Sequence, residues 1–197
     1  MELESAQATF DRIGAARDSA RISALLARPV GTRAVRTIMF TDIVDSTKLV
    51  ELLGDEAWEN LLAWHDRTLR ACFDRHRGEE VKHEGDGFFI AFGDGRAALE
   101  CAIATQRTLD QHRREHGFAP QVRIGLHEAE VTEREGDYGG KGVHVAARIA
   151  AVAGGGEIAA SRETAEAGGE DISVSAPRPL ELKGVAAPVD VVTVDWR

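Results

Sequence analysis

A chain of 197 residues has room for one domain of about 150 residues or more, with a sizeable core and a short appendage. Its 33 acidic against 24 basic residues give a formal charge of −9, and no basic block interleaved with aromatics occurs, which argues against nucleic acid as a partner. Cys72 and Cys101 lack CxxC spacing and indicate neither a disulfide framework nor a zinc site; without an apolar leader or a run of about 18 apolar residues, the expectation is a cytoplasmic protein with no membrane contact.

Residues 4 to 28 place Phe10, Ile13, Ala16, Ala20 and Leu25 near helical spacing among charged positions, and Pro29-Val30-Gly31 stops the pattern. This predicts an N-terminal helical segment over 1–31, set apart from a main domain over 32–197. Its apolar face has three candidate partners: the domain, a second copy, or an upstream domain. Alternating patterns then predict a strand over 35–43, a helix over 46–76, strands over 79–84 and 87–92, a helix over 93–116 and a strand over 121–131. The two middle strands read as a hairpin because Gly85-Asp86-Gly87 separates them, and Asp-Gly favours a tight turn. The order βαββαβ is the ferredoxin-like arrangement. Next, "KGVHVAARIAAVA" is helical with Gly154 to Gly156 as its stop, and short strands follow at "EIAAS", "ISVS", "PLELKG" and "VDVVTV". The fold class is therefore α+β, a ferredoxin-like core with a C-terminal αβ extension.

The stretch "FTDIVDST" ends an apolar strand in Asp42. A carboxylate there needs a cation, a donor network or water, because desolvation disfavours its charge. Asp45, Ser46 or Thr47 accounts for a helix cap but leaves Asp42 unexplained. In a βαββαβ sheet the first strand lies beside the central hairpin, so Asp42 and Asp86 reach one sheet edge. Two hard oxygen ligands suit Mg²⁺ or Mn²⁺, which take one or two carboxylates plus substrate phosphates. The backbone N–H groups of "IVDST" open a helix and so attract phosphate. Together these features point to a nucleoside triphosphate.

"FTDIVDST", "VKHEGDGFFIAF", "RIGLHEAEV", "GDYGGKGVHVAARIA" and "LKGVAAPV" stand in an order that resembles the class III nucleotidyl cyclases of bacterial type, over roughly residues 34 to 195. The resemblance implies a head-to-tail homodimer with sites at the shared interface and two divalent ions per site. It implies metal contacts at Asp42, Ile43 and Asp86, and substrate contacts at Ile43, Asp45, Ser46, Thr47, Lys82, Asp137 and Lys183. Lys82 matches the lysine that meets the adenine ring, and Asp137 the position that reads its amino group. A donor to ring N1 and an acceptor from the 6-amino group complement adenine, whereas guanine offers the reverse pattern, so ATP is expected over GTP. Arg148 matches the arginine that stabilises charge on the phosphoryl group, and Lys183 the lysine near the triphosphate tail. His144 departs from the family, where asparagine orients the ribose. The implied activity is an adenylate cyclase making 3′,5′-cyclic AMP and pyrophosphate. The alternative, suggested by His144, is a catalytically weak or silent module that binds nucleotide or a partner. His127 is expected to be structural, and His65, His76, His112 and His116 to lie on the surface.

Overall fold

The computed structural model of the protein describes residues 31–197, so the helical segment expected over 1–31 lies, Gly31 apart, outside the described residues. Strand β1 (Thr32–Ile43) carries apolar side chains on both faces of its second half, as a central strand covered on both sides must. Met39 and Ile43 join one core cluster, and Ile38 joins another. Helices α1 (Ser46–Leu53) and α2 (Asp55–Arg75) follow, then β2 (Glu79–Glu84), β3 (Gly87–Phe92) and helix α3 (Gly95–His116). Leu69, Cys72 and Phe73 of α2 and Leu99, Cys101 and Leu109 of α3 pack with Met39 and Ile43 against one face of the sheet. Burial pushes the Cys101 thiol up to about 12, which leaves it protonated and inert.

Strand β4 (Val122–Arg134) turns back through Glu135 and Gly136, both at positive φ, into β5 (Asp137–Gly139). Helix α4 (Lys141–Val152), β6 (Ile158–Ser161), α5 (Arg162–Ala167), β7 (Arg178–Leu180) and β8 (Val189–Thr193) complete the described chain. The eight-stranded sheet runs β2-β3-β1-β4-β6-β8-β7, with β5 on β4. Its first four strands have the order of the ferredoxin-like core. β1 and β3 pair antiparallel with Thr41 opposite Phe88, which brings the end of β1 to the hairpin between β2 and β3. Helix α4 covers the other face and lies very close to β4. A Cβ on Gly125 would fall 2.2 Å from the Ala150 backbone nitrogen, and one on Gly142 would fall 2.3 Å from the Ala129 Cβ. Only glycine permits that approach. Among the described residues no helix is long and apolar enough to cross a membrane.

The structure corrects the sequence reading in several places. The helix expected over 46–76 divides at Gly54, whose φ of 77° and ψ of 165° belong to a region open almost only to glycine. "ISVS" forms no strand beyond the single bridge Val174–Val194, and only Arg178–Leu180 of the next segment is extended. Helix α5 was not expected, since six residues carry too little periodicity to register. His65 was expected at the surface and is fully buried, and His76 and His112 are half-buried, His112 against Trp64 with ring centroids 4.1 Å apart. His116 is exposed. His127 is a satisfied structural histidine: its Nδ1 lies 2.9 Å from Ser161 Oγ, and burial lowers its pKa.

Candidate active site

A cleft of about 540 Å³ opens beside the end of β1, lined by Phe40, Asp42, Lys82, Arg123, Tyr138 and His144 among others. Phe40 and Phe89 stack at 4.8 Å and, with Tyr138 and Val143, give it an apolar wall. Burial raises the Tyr138 phenol, whose hydroxyl donates to Glu79 at 2.8 Å. The wall is therefore neutral and the charges gather at its rim.

Asp42 is paired with Arg123 of the neighbouring strand, whose Nε donates to Oδ2 at 2.9 Å and whose terminal nitrogen donates to the same oxygen. Sequence reasoning missed Arg123. Its one signal is an arginine between buried Val122 and Ile124, and only the β1–β4 pairing reveals what it faces. The other Asp42 oxygen, Oδ1, lies 3.6 Å from where a Cβ on Gly87 would stand, so it turns towards the hairpin of Asp86. Asp86 Oδ2 is buried without a hydrogen-bond partner. A buried acceptor with no donor, beside a second carboxylate with an oxygen to spare, fits a divalent cation. Among the described residues no group of three or more acidic, histidine or cysteine side chains converges as a metal cage. Two carboxylates are what a Mg²⁺-type ion takes when phosphates complete its shell. Ile43 has its side chain in the core, so its backbone is the part that can serve.

Asp45 occupies the cap position of α1 at a φ of 57°, yet its side chain makes no cap bond and instead accepts from Lys48 Nζ at 2.8 Å. With Ser46 and Thr47 opening the helix, the first N–H groups of α1 lack a side-chain cap and suit an anion. Lys82 of β2 and Asp137 of β5 form an ion pair at 3.0 Å, each about half exposed. His144 is exposed on α4 at the cleft, whereas Arg148, one turn on, is exposed outside the lining. Lys183 is exposed in the loop between β7 and β8, also outside it. The fold thus gathers Asp42, Lys82 and His144 around one cleft, joins Asp137 to it through Lys82, and leaves Arg148 and Lys183 apart.

The family described as the adenylate and guanylate cyclase catalytic domain matches residues 32–194. A Rhizobium meliloti protein described as putative adenylate cyclase 3 is 31% identical over 123 residues, 61% of this chain and 21% of its own length. An adenylate cyclase of Lachancea kluyveri is 31% identical over 162 residues, 70% of this chain and 9% of its own length. The chain therefore spans only about a fifth and a tenth of these relatives. The solved structure of the adenylyl cyclase CyaB from P. aeruginosa gives a TM-score of 0.74 at 26% identity, covering 83% of this chain and 95% of that one. The guanylyl cyclase Cya2 gives 0.74 at 27%, covering 84% and 94%.

Proposed function

The chain belongs to the adenylate and guanylate cyclase catalytic domain family, and on that premise we propose that it is an adenylate cyclase acting as a head-to-tail homodimer. It converts ATP to 3′,5′-cyclic AMP and pyrophosphate. The observation that carries the base choice is the Lys82–Asp137 pair, a donor and an acceptor side by side at the cleft. Lysine donates to ring N1 of adenine and aspartate accepts from its 6-amino group. Both side chains are about half exposed, so their mutual attraction is screened and exchanging it for a base edge costs little.

Asp42 and Asp86, with the Ile43 carbonyl, would hold two divalent ions, Mg²⁺ or Mn²⁺. Bound there, such ions neutralise triphosphate charge and make the ribose 3′-hydroxyl a better nucleophile. Arg123 keeps the Asp42 carboxylate oriented through Oδ2 and leaves Oδ1 for the cation. The start of α1, with Asp45, Ser46 and Thr47, receives phosphate oxygens on backbone N–H groups. His144 orients the ribose by a ring N–H. Arg148 stabilises charge on the α-phosphoryl group as the O3′–P bond forms and the bond to pyrophosphate breaks. Its exposure outside its own chain's cleft supports delivery to the cleft of a second copy. Lys183 approaches the triphosphate tail.

A product assay with purified protein, comparing ATP and GTP under Mg²⁺ and under Mn²⁺, tests the reading. Cyclic AMP from ATP is expected, and preferential cyclic GMP from GTP overturns the base assignment. Nucleotide binding with no product under either metal would favour the second reading, the silent module, for which His144 in place of asparagine is the specific observation.

A further inference from the structure

Strand β2 lies at the edge of the sheet and, among the described residues, pairs with β3 alone, so its course depends on what holds its two faces. Side chains of a regular strand alternate, and two that share a face stand an even number of residues apart. β2 breaks that rule. Glu80 lies opposite Ile90 and His83 opposite Phe88, both on the face covered by α2, yet the two are three positions apart. The register slips between Glu80 and Lys82, where a β-bulge takes up Val81 as the extra residue. Val81 packs with Phe89 and Tyr138, and Lys82, opposite Phe89, lines the cleft, so two successive side chains share the cleft face. The bulge therefore falls beside the lysine that meets Asp137.

Helix α2 holds the strand on both sides of the bulge. Arg70 Nε donates to Glu80 Oε2 at 2.7 Å and a terminal nitrogen to Oε1 at 2.9 Å, and the guanidinium lies over the Phe88 ring, 5.0 Å from its centroid. His83 stacks on the same ring at 4.3 Å, with Nε2 3.2 Å from Asp66 Oδ2, an oxygen that also lies 3.4 Å from an Arg70 terminal nitrogen. Beyond the bulge the hairpin fixes the register by pairing Glu84 with Gly87. A regular β2 counted back from that turn would put Val81 opposite Ile90, facing α2, and Glu80 opposite Ala91, on the cleft face beside Lys82. There the Glu80 carboxylate would compete with Asp137 for the lysine. The two-pronged pair with Arg70 draws Glu80 to the other face and keeps the extra residue where it is.

We propose that Arg70, by clamping Glu80 to α2, is a positioning residue for Lys82: it maintains the Val81 bulge that aims Lys82 at the base and keeps a rival carboxylate out of the cleft. Its effect on base choice rests on the reading of Lys82 as the residue that meets adenine; the clamp itself does not.

Cross-strand NOEs in the nucleotide-free full chain read the clamp. Wild type is expected to show Glu80 opposite Ile90, and Arg70→Met to show Glu80 opposite Ala91 and Val81 opposite Ile90. The Arg70 and Glu80 side chains are 40% and 32% exposed, so their pair adds little to stability and the variant should stay folded. A folded Arg70→Met that keeps the wild-type pairing overturns the clamp; if that variant does not fold, Glu80→Gln, which weakens the same pair from the strand side, decides by the same contacts. Titration under Mg²⁺ with 3′-deoxy-ATP and 3′-deoxy-GTP, which lack the hydroxyl needed for turnover, reads the consequence. Arg70→Met is expected to weaken binding of the adenine nucleotide about fivefold, the most that a pair so exposed can carry, and to leave the guanine nucleotide unaffected. Arg70→Lys, which keeps the charge but not the fork, is expected to recover part of the loss. Wild-type affinity for the adenine nucleotide in a variant whose pairing has shifted overturns the positioning role. Failure of the base reading shows itself separately, as a preference for adenine that Lys82→Ala leaves intact, and the NOE pattern then decides the clamp alone.

Discussion

Lys82 and Asp137, the pair proposed to read adenine, should be nearly irrelevant to folding and decisive for function. Exposed ion pairs of this kind contribute about 0–1 kcal/mol, so Lys82→Glu combined with Asp137→Ala should barely move the urea midpoint. On the proposed reading the same change leaves the adenine edge unread, and kcat/KM for ATP should fall by as much as about 10⁴-fold; an unchanged ATP preference would assign base reading to other residues. His144 is the residue proposed to orient the ribose. His144→Asn should keep or raise turnover, and His144→Ala should lower it by about 10²-fold to 10³-fold, the worth of one positioned hydrogen bond in the transition state. Equal rates in all three proteins would remove His144 from the catalytic set. His127 carries a separate prediction about pH. Burial depresses it, and the charges of Glu163 and Glu128 only partly offset that. Its contribution to stability is therefore present above an unfolded pKa of about 6.5 and lost as pH falls from there towards its lower folded value, by at most about 1.4 kcal/mol per pH unit. Urea melts across that range should show a shallower acid decline in His127→Gln than in the wild type, and parallel profiles would refute it. Of the residues lining the cleft, Asp42 was legible as a carboxylate at the exit of an apolar strand, whereas Lys82 and His144 were singled out only through the family resemblance. Arg123 was not legible, because its partner depends on which strands are neighbours, and His65 was misread because polar spacing on a helix does not show which polar face a hairpin will cover.

At the level of elements, the βαββαβ core was legible because strand and helix periods differ and Gly85-Asp86-Gly87 marks the hairpin. The break at Gly54 was not, since one glycine in a helical pattern is ordinarily tolerated. Nothing lies within 4 Å of a Cβ built there, so the constraint is backbone conformation alone. Gly54→Ala should cost about 1–3 kcal/mol, measured by urea unfolding, and a neutral result would mean the junction between α1 and α2 relaxes freely. Gly125 is the opposite case, a matter of space. With a Cβ 2.2 Å from the Ala150 backbone nitrogen, Gly125→Ala must push α4 off β4. Overpacking of this kind costs about 1–3 kcal/mol, and because His144 and Arg148 ride on α4, turnover should fall even where the fold survives. The C-terminal strands were the least legible part. β7 has three residues and Val174 forms a lone bridge, so both are defined by pairing with the segment around β8 rather than by a pattern of their own.

For the whole molecule the open geometry is the distance in role between Arg148 and the cleft it is proposed to serve. Arg148 is exposed and does not line the cleft that contains Asp42, while His144, four residues earlier on the same helix face, does. The proposed head-to-tail pair would resolve this by having each copy present its Arg148 to the other copy's Asp42 and Asp86, giving two equivalent sites. Asp42→Ala and Arg148→Ala should each be inactive alone, because every homodimeric site then lacks one of the two groups. Mixed in equal amounts, half of the dimers combine one copy of each, and such a dimer has one intact site and one lacking both groups. Activity should return to about a quarter of wild type by this count. The formal charge of −9 makes two copies repel at low salt, so the mixture belongs at about 0.15 M salt, where the screening length is about 8 Å. Absence of rescue, with mixed dimers demonstrated by differential tagging, would mean that Arg148 and Asp42 act within one chain and that α4 must move to bring them together.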